Sequence, residues 1–127
     1  MDKNVTDFAA FGLSDLRGRL PERTTISSTN TNKVDDEFVT DVWRILDAAG
    51  NLLIKKHHDY GPKNISLSPG GPLNGLRVRM WDKVARINNL IDSNVNPSNE
   101  SLRDSFIDLL NYSAIAMMVL DGTWPEE

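Results

Sequence analysis

The sequence predicts an all-α fold, an antiparallel bundle of three main helices with a small N-terminal helical element. Apolar residues recur at steps of three and four in three long segments, and each segment ends at residues that break helices. No run of alternating apolar and polar residues is long enough to predict a strand. The length of 127 residues is that of one globular domain.

The first 34 residues differ from the rest of the chain. We expect a short helix there, capped by Ser14 and running to about Leu20, with a tail of no fixed structure as the alternative. Residues 23–34 are rich in Ser, Thr and Asn and have too little apolar surface to offset the entropy of ordering them. We therefore expect an N-terminal element and flexible strap over residues 1–34, followed by a helical domain over residues 35–127.

The first long helix is predicted over about residues 35–58. Its apolar stripe advances at steps of four, three, four and three residues, which is typical of a helix buried along one face. Acidic residues occupy its start and basic residues its end, as the helix dipole favours. Gly61 and Pro62 end it, because Gly permits a positive φ and Pro cannot continue a helix. The stripe consists of Phe38, Val42, Ile45, Ala49 and Leu52.

Two further helices follow a loop over residues 59–75 that is rich in Gly and Pro. The second helix is predicted over about residues 74–92. The third is expected to be capped by Ser98 or Asn99 and to end near Leu120, before Gly122. Short connections between these helices predict antiparallel neighbours.

Composition excludes several classes of protein. The chain has no cysteine, which excludes disulfide frameworks, thiolate zinc sites and cysteine nucleophiles. Its net charge of −4 argues against a protein that coats duplex nucleic acid. The longest apolar stretch, Ala114 to Leu120, is far shorter than the roughly 20 residues of a membrane helix. We therefore expect a cytoplasmic domain that binds neither duplex nucleic acid nor membrane.

The third helix carries a stripe of polar residues, Asp104, Asp108 and Asn111, at i, i+4 and i+7. Asp108 stands among apolar neighbours, and a buried carboxylate needs a cation, a metal or converging donors. The second helix repeats the acid-to-amide spacing with Asp82, Arg86 and Asn89, and Lys83 and Arg79 lie on a neighbouring strip.

Two interpretations of these residues stay open. In the structural one, the acids pair with Lys83 or Arg86 and hold the bundle together. In the functional one, the acids bind a divalent cation while Lys83 and Arg86 hold phosphate oxygens.

The loop after the first helix offers a further set of groups. Tyr60 could stack on a base and Asn64 could bind its edge, although a helix stop with a solvated Tyr60 is an equal alternative. His57 and His58 are adjacent and point about 100° apart, so we expect them to act as helix-terminal cations rather than as metal ligands.

Three segments of the chain together resemble the nucleotide-modification-associated domain type 1 family, which is common in bacteriophage genomes. They are residues 55–65 (KKHHDYGPKNI), 75–90 (GLRVRMWDKVARINNL) and 100–112 (ESLRDSFIDLLNY). The resemblance covers about residues 38–122. That family is itself similar to the MazG-like all-α nucleoside triphosphate pyrophosphohydrolases, which use acidic residues on helices to bind magnesium and usually form oligomers.

The resemblance implies a nucleotide-metabolism protein that binds a nucleoside di- or triphosphate between the second and third helices, with Mg²⁺-dependent release of pyrophosphate as the expected reaction. The expected catalytic residues are Asp104 and Asp108. The expected ligands of Mg²⁺ are Glu100, Asp104, Asp108 and Asp82. The expected substrate-binding residues are Asp59, Tyr60, Asn64, Arg79, Lys83, Arg86, Asn89 and Asn111.

One departure from the hydrolases keeps other functions open. Glu100 and Asp104 match the outer spacing of the later acidic motif of these enzymes, but Ser101 stands where they have a second glutamate. A non-catalytic nucleotide-binding accessory, or a trap for a nucleotide signal, is therefore the alternative. A purely structural bundle is the third.

The third helix also predicts self-association. It is apolar nearly all round beyond Asn111, so the stripe through Ile115 and Met118 is expected to need cover. A second copy could supply it, which predicts a homodimer or a higher even homo-oligomer, or the N-terminal element could supply it within the chain.

Overall fold

The structure, a computed structural model, describes Arg23 and residues 33–126. The predicted all-α fold is confirmed, because this part of the chain forms four helices and no strand. They are α1 (Lys33–Tyr60), α2 (Lys63–Ser66), α3 (Pro72–Ser93) and α4 (Leu102–Asp121). The predicted helix from Ser14 to Leu20 lies outside the described residues, as does most of the predicted strap.

The chain divides into two compact units, Met1–Leu52 and Leu53–Glu127, and the division falls within α1. In the first unit, the guanidinium of Arg23 lies 2.5 Å from Asp47 Oδ1 and 4.7 Å from the centre of the Trp43 ring. These contacts combine an ion pair with a cation–π interaction on one face of α1.

The end of α1 confirms the predicted stop. Gly61 has φ +67°, and its N–H donates to the carbonyl of His57 at 2.8 Å. The predicted loop that follows contains one helical turn that was not expected, α2. Its backbone is reinforced by Ser66, whose hydroxyl donates to the carbonyl of Pro62, and by Ser68, whose hydroxyl donates to the carbonyl of Asn64.

Helix α3 begins at a Gly–Pro junction, two residues before the predicted start at about residue 74. Gly71 has φ +93° and Pro72 occupies the first turn, where its missing N–H is not needed. Gly75 lies against Ser68, so that a Cβ at this position would come within 2.5 Å of the Ser68 side chain. Glycine at position 75 thus lets α3 approach the segment after α2 closely.

The predicted cap of α4 is wrong. Ser101, rather than Ser98 or Asn99, precedes the helix, with an extended backbone. Its hydroxyl accepts from Asp104 N at 3.2 Å, and the Asp104 carboxylate accepts from Ser101 N at 3.0 Å, which completes a capping box. Ser98 and Asn99 lie in a bend too far from the first turn to reach its free N–H groups. The far end of α4 is as predicted, at Gly122 with φ +71°.

Helices α3 and α4 run antiparallel. Lys83 pairs with Asp108, and Arg86, one turn later on α3, donates to Ser105, which is earlier on α4. The core of the unit is formed by Ile65, Leu76 and Ile115, each from a different helix. Leu53, Tyr112 and Trp124 pack against this core, so α2, α3, α4 and the end of α1 share one apolar centre.

The expectation that α4 leaves the stripe through Asn111, Ile115 and Met118 open is wrong. Asn111 and Ile115 are only 7% and 6% exposed, and Met118 packs against the core. The exposed apolar side chains of α3 and α4 lie elsewhere, and the most exposed of them are Trp81, Ile91, Val78 and Phe106. Homo-oligomerisation therefore stays a prediction, but the stripe on α4 that was expected to form the interface is covered within the chain. None of the described helices is both long and apolar enough to cross a membrane.

We expect Ser101→Ala to lower the free energy of unfolding by about 1 kcal/mol, because α4 loses the hydroxyl that accepts from its first turn. Urea denaturation at pH 7 measures the change. Ser98→Ala is the matched control, since Ser98 lies outside the capping box, and it should leave the free energy of unfolding unchanged. Equal losses in the two variants would contradict this assignment of the cap.

Candidate functional site

The second unit contains a cavity of about 120 Å³. Its walls come from the end of α1, from α2, from Arg79 on α3, from α4 and from Trp124 beyond α4. We call it the Asp108 cavity. Its polar lining residues are Lys56, His57, Tyr60, Asn64, Arg79, Asp108, Asn111 and Tyr112.

Two helices, α1 and α4, supply most of the lining, and their lining residues have the same spacing along the chain. Helix α1 contributes its residues at i, i+3, i+4 and i+7, which form one face of a helix. Helix α4 does the same from Asp108 onward. The two sets are Leu53, Lys56, His57 and Tyr60, and Asp108, Asn111, Tyr112 and Ile115.

A buried carboxylate with two lysines forms the charged part of the cavity. The Asp108 side chain is only 10% exposed. Its Oδ1 lies 3.1 Å from Lys56 Nζ, and its Oδ2 lies 2.7 Å from Lys83 Nζ. Lys83 also lies 3.1 Å from Glu100 Oε2. One carboxylate therefore ties the end of α1 to α3 and α4, and its two oxygens are held by different cations.

These contacts decide the charge of Asp108. Burial by itself would raise the pKa of the carboxyl, but the hydrogen bonds from Lys83 and Lys56 outweigh it, and the pKa lies below its usual range. The pKa of Lys83 is raised, chiefly by the hydrogen bond to Asp108, although burial opposes this. At neutral pH, Asp108 is thus a carboxylate that can only accept hydrogen bonds.

Three buried polar atoms of cavity-lining residues have no hydrogen-bond partner. They are His57 Nδ1, Asn64 Oδ1 and Asn111 Nδ2, and they come from α1, α2 and α4 respectively. Folded proteins pair the great majority of such atoms, because an unpaired buried polar atom destabilises the fold by about 1–3 kcal/mol. Such atoms are usually satisfied by ordered water or by a bound polar molecule, so three of them on residues that line one cavity make it a candidate site.

Arg79 adds a positive charge to the cavity. Its Nη2 donates to the backbone carbonyl of Asn64 at 2.9 Å. No carboxylate in the described part of the chain forms an ion pair with Arg79. By contrast, the charges of Lys56, Lys83, Asp108 and Glu100 balance one another. The cavity therefore carries an excess of one positive charge and favours an anion.

Aromatic rings complete the cavity. The Trp124 indole N–H donates to the Pro62 carbonyl at 3.2 Å, and its ring meets His57 edge to face at 5.1 Å between centroids. These contacts fix the Trp124 ring against the loop after α1. Tyr60 is 69% exposed, so its ring stands at the mouth. A flat molecule could contact aromatic surface at the wall and at the entrance.

The structure brings together a subset of the residues that the sequence assigned to a site. Five of them line the Asp108 cavity: Tyr60, Asn64, Arg79, Asp108 and Asn111. Lys83 reaches the cavity only through Asp108, to which it is paired.

The other assigned residues lie outside the cavity lining. Asp104 belongs to the cap of α4. Arg86 donates to Ser105 Oγ at 2.6 Å and to the backbone carbonyls of Glu100 and Ser101, so it holds the start of α4. Asp59, Asp82 and Asn89 are exposed.

The residues assigned to magnesium do not fit a protein-bound metal. Nowhere among the described residues do three or more carboxylates and histidines come close enough to hold a metal ion. Both oxygens of Asp108 accept from ammonium groups, which would repel a divalent cation, and Glu100 faces Lys83. Magnesium binding stays a prediction, and the described residues offer no group of ligands for the ion.

No site role was predicted for four of the lining residues, Lys56, His57, Tyr112 and Trp124. Their spacing could have identified Lys56 and His57, because these residues precede Tyr60 by four and three positions and so share its helix face. No pattern marked Trp124, which follows the end of α4 and reaches the cavity only through the fold.

We expect Asp108→Asn to lower the free energy of unfolding at pH 7 by about 2 kcal/mol, because two lysines lose their charged partner. The folded pKa of Asp108 is below the unfolded value of 3.8, so its contribution is complete above about pH 4 and is lost as the pH falls through the folded pKa. The difference from the wild type should therefore shrink below pH 4. Urea denaturation at several pH values measures it.

Asp82→Asn is the control for this prediction, since Asp82 is an exposed acid on the neighbouring helix. It should change the free energy of unfolding by less than about 0.5 kcal/mol at every pH. A loss for Asp108→Asn that stays constant down to pH 2 would show that the lysine pairs are not its cause.

Comparison with known proteins identifies a family. No curated protein and no solved structure shows significant similarity to the chain. The family model described as nucleotide modification associated domain 1 matches residues 56–120, just over half of the chain. The match contains every polar residue of the Asp108 cavity. The chain therefore belongs to the nucleotide modification associated domain 1 family.

Proposed function

We propose that the protein binds a nucleotide and holds its base in the Asp108 cavity. One observation carries the proposal. Three residues that line a single cavity together with the charged Asp108 each have a buried polar atom without a partner: His57, Asn64 and Asn111. A bound molecule with donors and acceptors would satisfy them once these imidazole and amide groups turn toward it.

The chemistry of the lining suits a nucleobase. A base has a flat apolar face and a polar edge, and proteins bind it by aromatic contact and by hydrogen bonds to that edge. The cavity offers Asp108 as an acceptor, two amide side chains, which each carry a donor and an acceptor, and aromatic surface from Tyr60 and Trp124. The description of the family refers to nucleotides as well.

The excess positive charge suits the phosphate. A cavity of about 120 Å³ is small beside the roughly 300–1,000 Å³ of sites for drug-sized ligands, so the sugar and phosphate of a nucleotide would extend outside. Arg79 has no carboxylate partner among the described residues, and Lys56 is about half exposed at the cavity wall. Guanidinium and ammonium groups bind phosphate oxygens strongly.

The contacts favour binding over hydrolysis. Metal-dependent release of pyrophosphate needs carboxylates free to hold a cation or to activate water. Asp104 accepts from the start of α4, Glu100 faces Lys83, and Asp108 is held by two lysines. Because these carboxylates are already paired, they support a non-catalytic nucleotide-binding protein. We expect no release of pyrophosphate from any nucleoside triphosphate with Mg²⁺.

The decisive variant is Asn111→Leu, which replaces an unpaired buried amide with an apolar side chain of similar size. We expect the free energy of unfolding to stay equal or to rise, because an unsatisfied polar atom is removed. We expect the affinity for nucleotides to fall at least tenfold. Isothermal titration calorimetry of the full chain with the common ribo- and deoxyribonucleotides measures binding, and urea denaturation measures stability.

Asn89→Leu is the matched control, since Asn89 is an exposed asparagine of α3. It should leave nucleotide affinity unchanged. The proposal is overturned if the wild type binds no nucleotide. It is also overturned if Asn111→Leu unfolds the protein and leaves the affinity of the remaining folded fraction intact, because Asn111 then serves the fold alone.

A further inference from the structure

The two lysines that hold Asp108 differ in how firmly they are held themselves. The side chain of Lys83 is 19% exposed and pairs with two carboxylates, since it lies 2.7 Å from Asp108 Oδ2 and 3.1 Å from Glu100 Oε2. The side chain of Lys56 is 47% exposed, and within the described part of the chain it pairs with Asp108 Oδ1 alone, at 3.1 Å. Exposed ion pairs are weak, because water screens them and the side chain loses rotamer freedom. Lys56 is therefore the partner that can leave Asp108.

Lys56 also lies on the cavity side of the carboxylate. Lys56 and Asp108 both line the Asp108 cavity, whereas Lys83 is not part of the lining. A ligand N–H group that approaches Oδ1 from the cavity must therefore compete with the Lys56 ammonium group for that oxygen. Once Lys56 leaves, Lys83 still pairs with Asp108, so the buried carboxylate is not left without a cation.

A phosphate group at the mouth of the cavity would give Lys56 another partner. Lys56 precedes Tyr60 by four residues, so the two side chains are neighbours on one face of α1, and Tyr60 stands at the mouth. The ammonium group of a lysine sits on a flexible four-carbon stem, so it can exchange a carboxylate for a phosphate without movement of the backbone. This step rests on the proposed function, since it needs a ligand whose phosphate lies outside the cavity.

We propose that Lys56 changes partner when a nucleotide binds. In the free protein Lys56 pairs with Asp108. In the complex it pairs with the phosphate and leaves Asp108 Oδ1 to accept from an N–H group of the base. The exchange couples the two ends of the ligand, because the phosphate removes the cation that covers the acceptor for the base. A nucleoside has no phosphate and must displace Lys56 without giving it a new partner, so the exchange selects nucleotides over nucleosides.

The variant Lys56→Met tests the exchange, since it removes the ammonium group and keeps an unbranched side chain. Isothermal titration calorimetry of the full chain at pH 7 compares dAMP, dCMP, dGMP and dTMP with the four corresponding nucleosides. We expect the affinity for the nucleotides that the wild type binds to fall at least tenfold, and the affinity for their nucleosides to rise at least threefold. A lysine that only contacts phosphate would leave nucleoside affinity unchanged, and a lysine that only supports the fold would lower both affinities.

Lys55→Met is the matched control, since Lys55 is the adjacent exposed lysine of α1 and does not line the cavity. It should leave both affinities unchanged. A nucleoside affinity that is unchanged or lower in Lys56→Met overturns the exchange, while nucleotide binding by the wild type leaves the proposed function standing. Absence of nucleotide binding by the wild type overturns the proposed function, and the exchange with it.

Inorganic phosphate gives an independent reading with the wild-type protein, which serves if Lys56→Met does not fold. Phosphate bound at the mouth draws Lys56 away from Asp108, so it should raise the affinity for the nucleosides at least threefold. Sodium chloride at the same ionic strength is the control for screening and should give no rise. A nucleoside affinity that phosphate leaves unchanged or lowers overturns the exchange.

Discussion

The ion pairs of Asp108 with Lys56 and Lys83 are the interaction on which the second unit depends. A buried carboxylate without partners would destabilise the fold by several kcal/mol, so it can persist on α4 only while cations from α1 and α3 hold it. The same pairs lower its pKa and keep it ionised, which makes it a fixed acceptor in the cavity wall. Replacing the set by apolar residues could give an equally stable core, but that core would have no polar site.

The lining of the Asp108 cavity lowers the stability of the fold. Its lining residues leave three buried polar atoms without partners, although an apolar residue at any of these positions would avoid the loss. Elsewhere the unit satisfies its polar groups locally, as in the capping box of α4 and the bonds of Arg86 to the carbonyls before it. Unsatisfied groups concentrated at one cavity are typical of a binding site, where stability and function oppose each other.

The three long helices were predictable because their periodicity and their glycine stops are local signals. Gly61 and Gly122 end α1 and α4 as expected, and α3 begins and ends within two residues of its prediction. The burial of Asp108 and its need for a cation also followed from its apolar neighbours. The cap of α4 was not predictable, because Ser98, Asn99 and Ser101 are all residue types that cap helices. Only the backbone geometry selects Ser101. The Lys56 partner lies 52 residues from Asp108, and Trp124 reaches the cavity from beyond the last helix, so neither contact leaves a local pattern.

Side-chain NMR tests most directly whether a base binds to the polar side chains of the Asp108 cavity. The side-chain amide resonances of Asn64 and Asn111 in ¹⁵N-labelled protein should shift when a saturating nucleotide is added, while those of the exposed Asn89 stay in place. Deoxyribose 5-phosphate, which carries the same sugar and phosphate but no base, should leave the Asn64 and Asn111 amides unshifted. Equal shifts with the sugar phosphate, or shifts at Asn89 alone, would contradict the account.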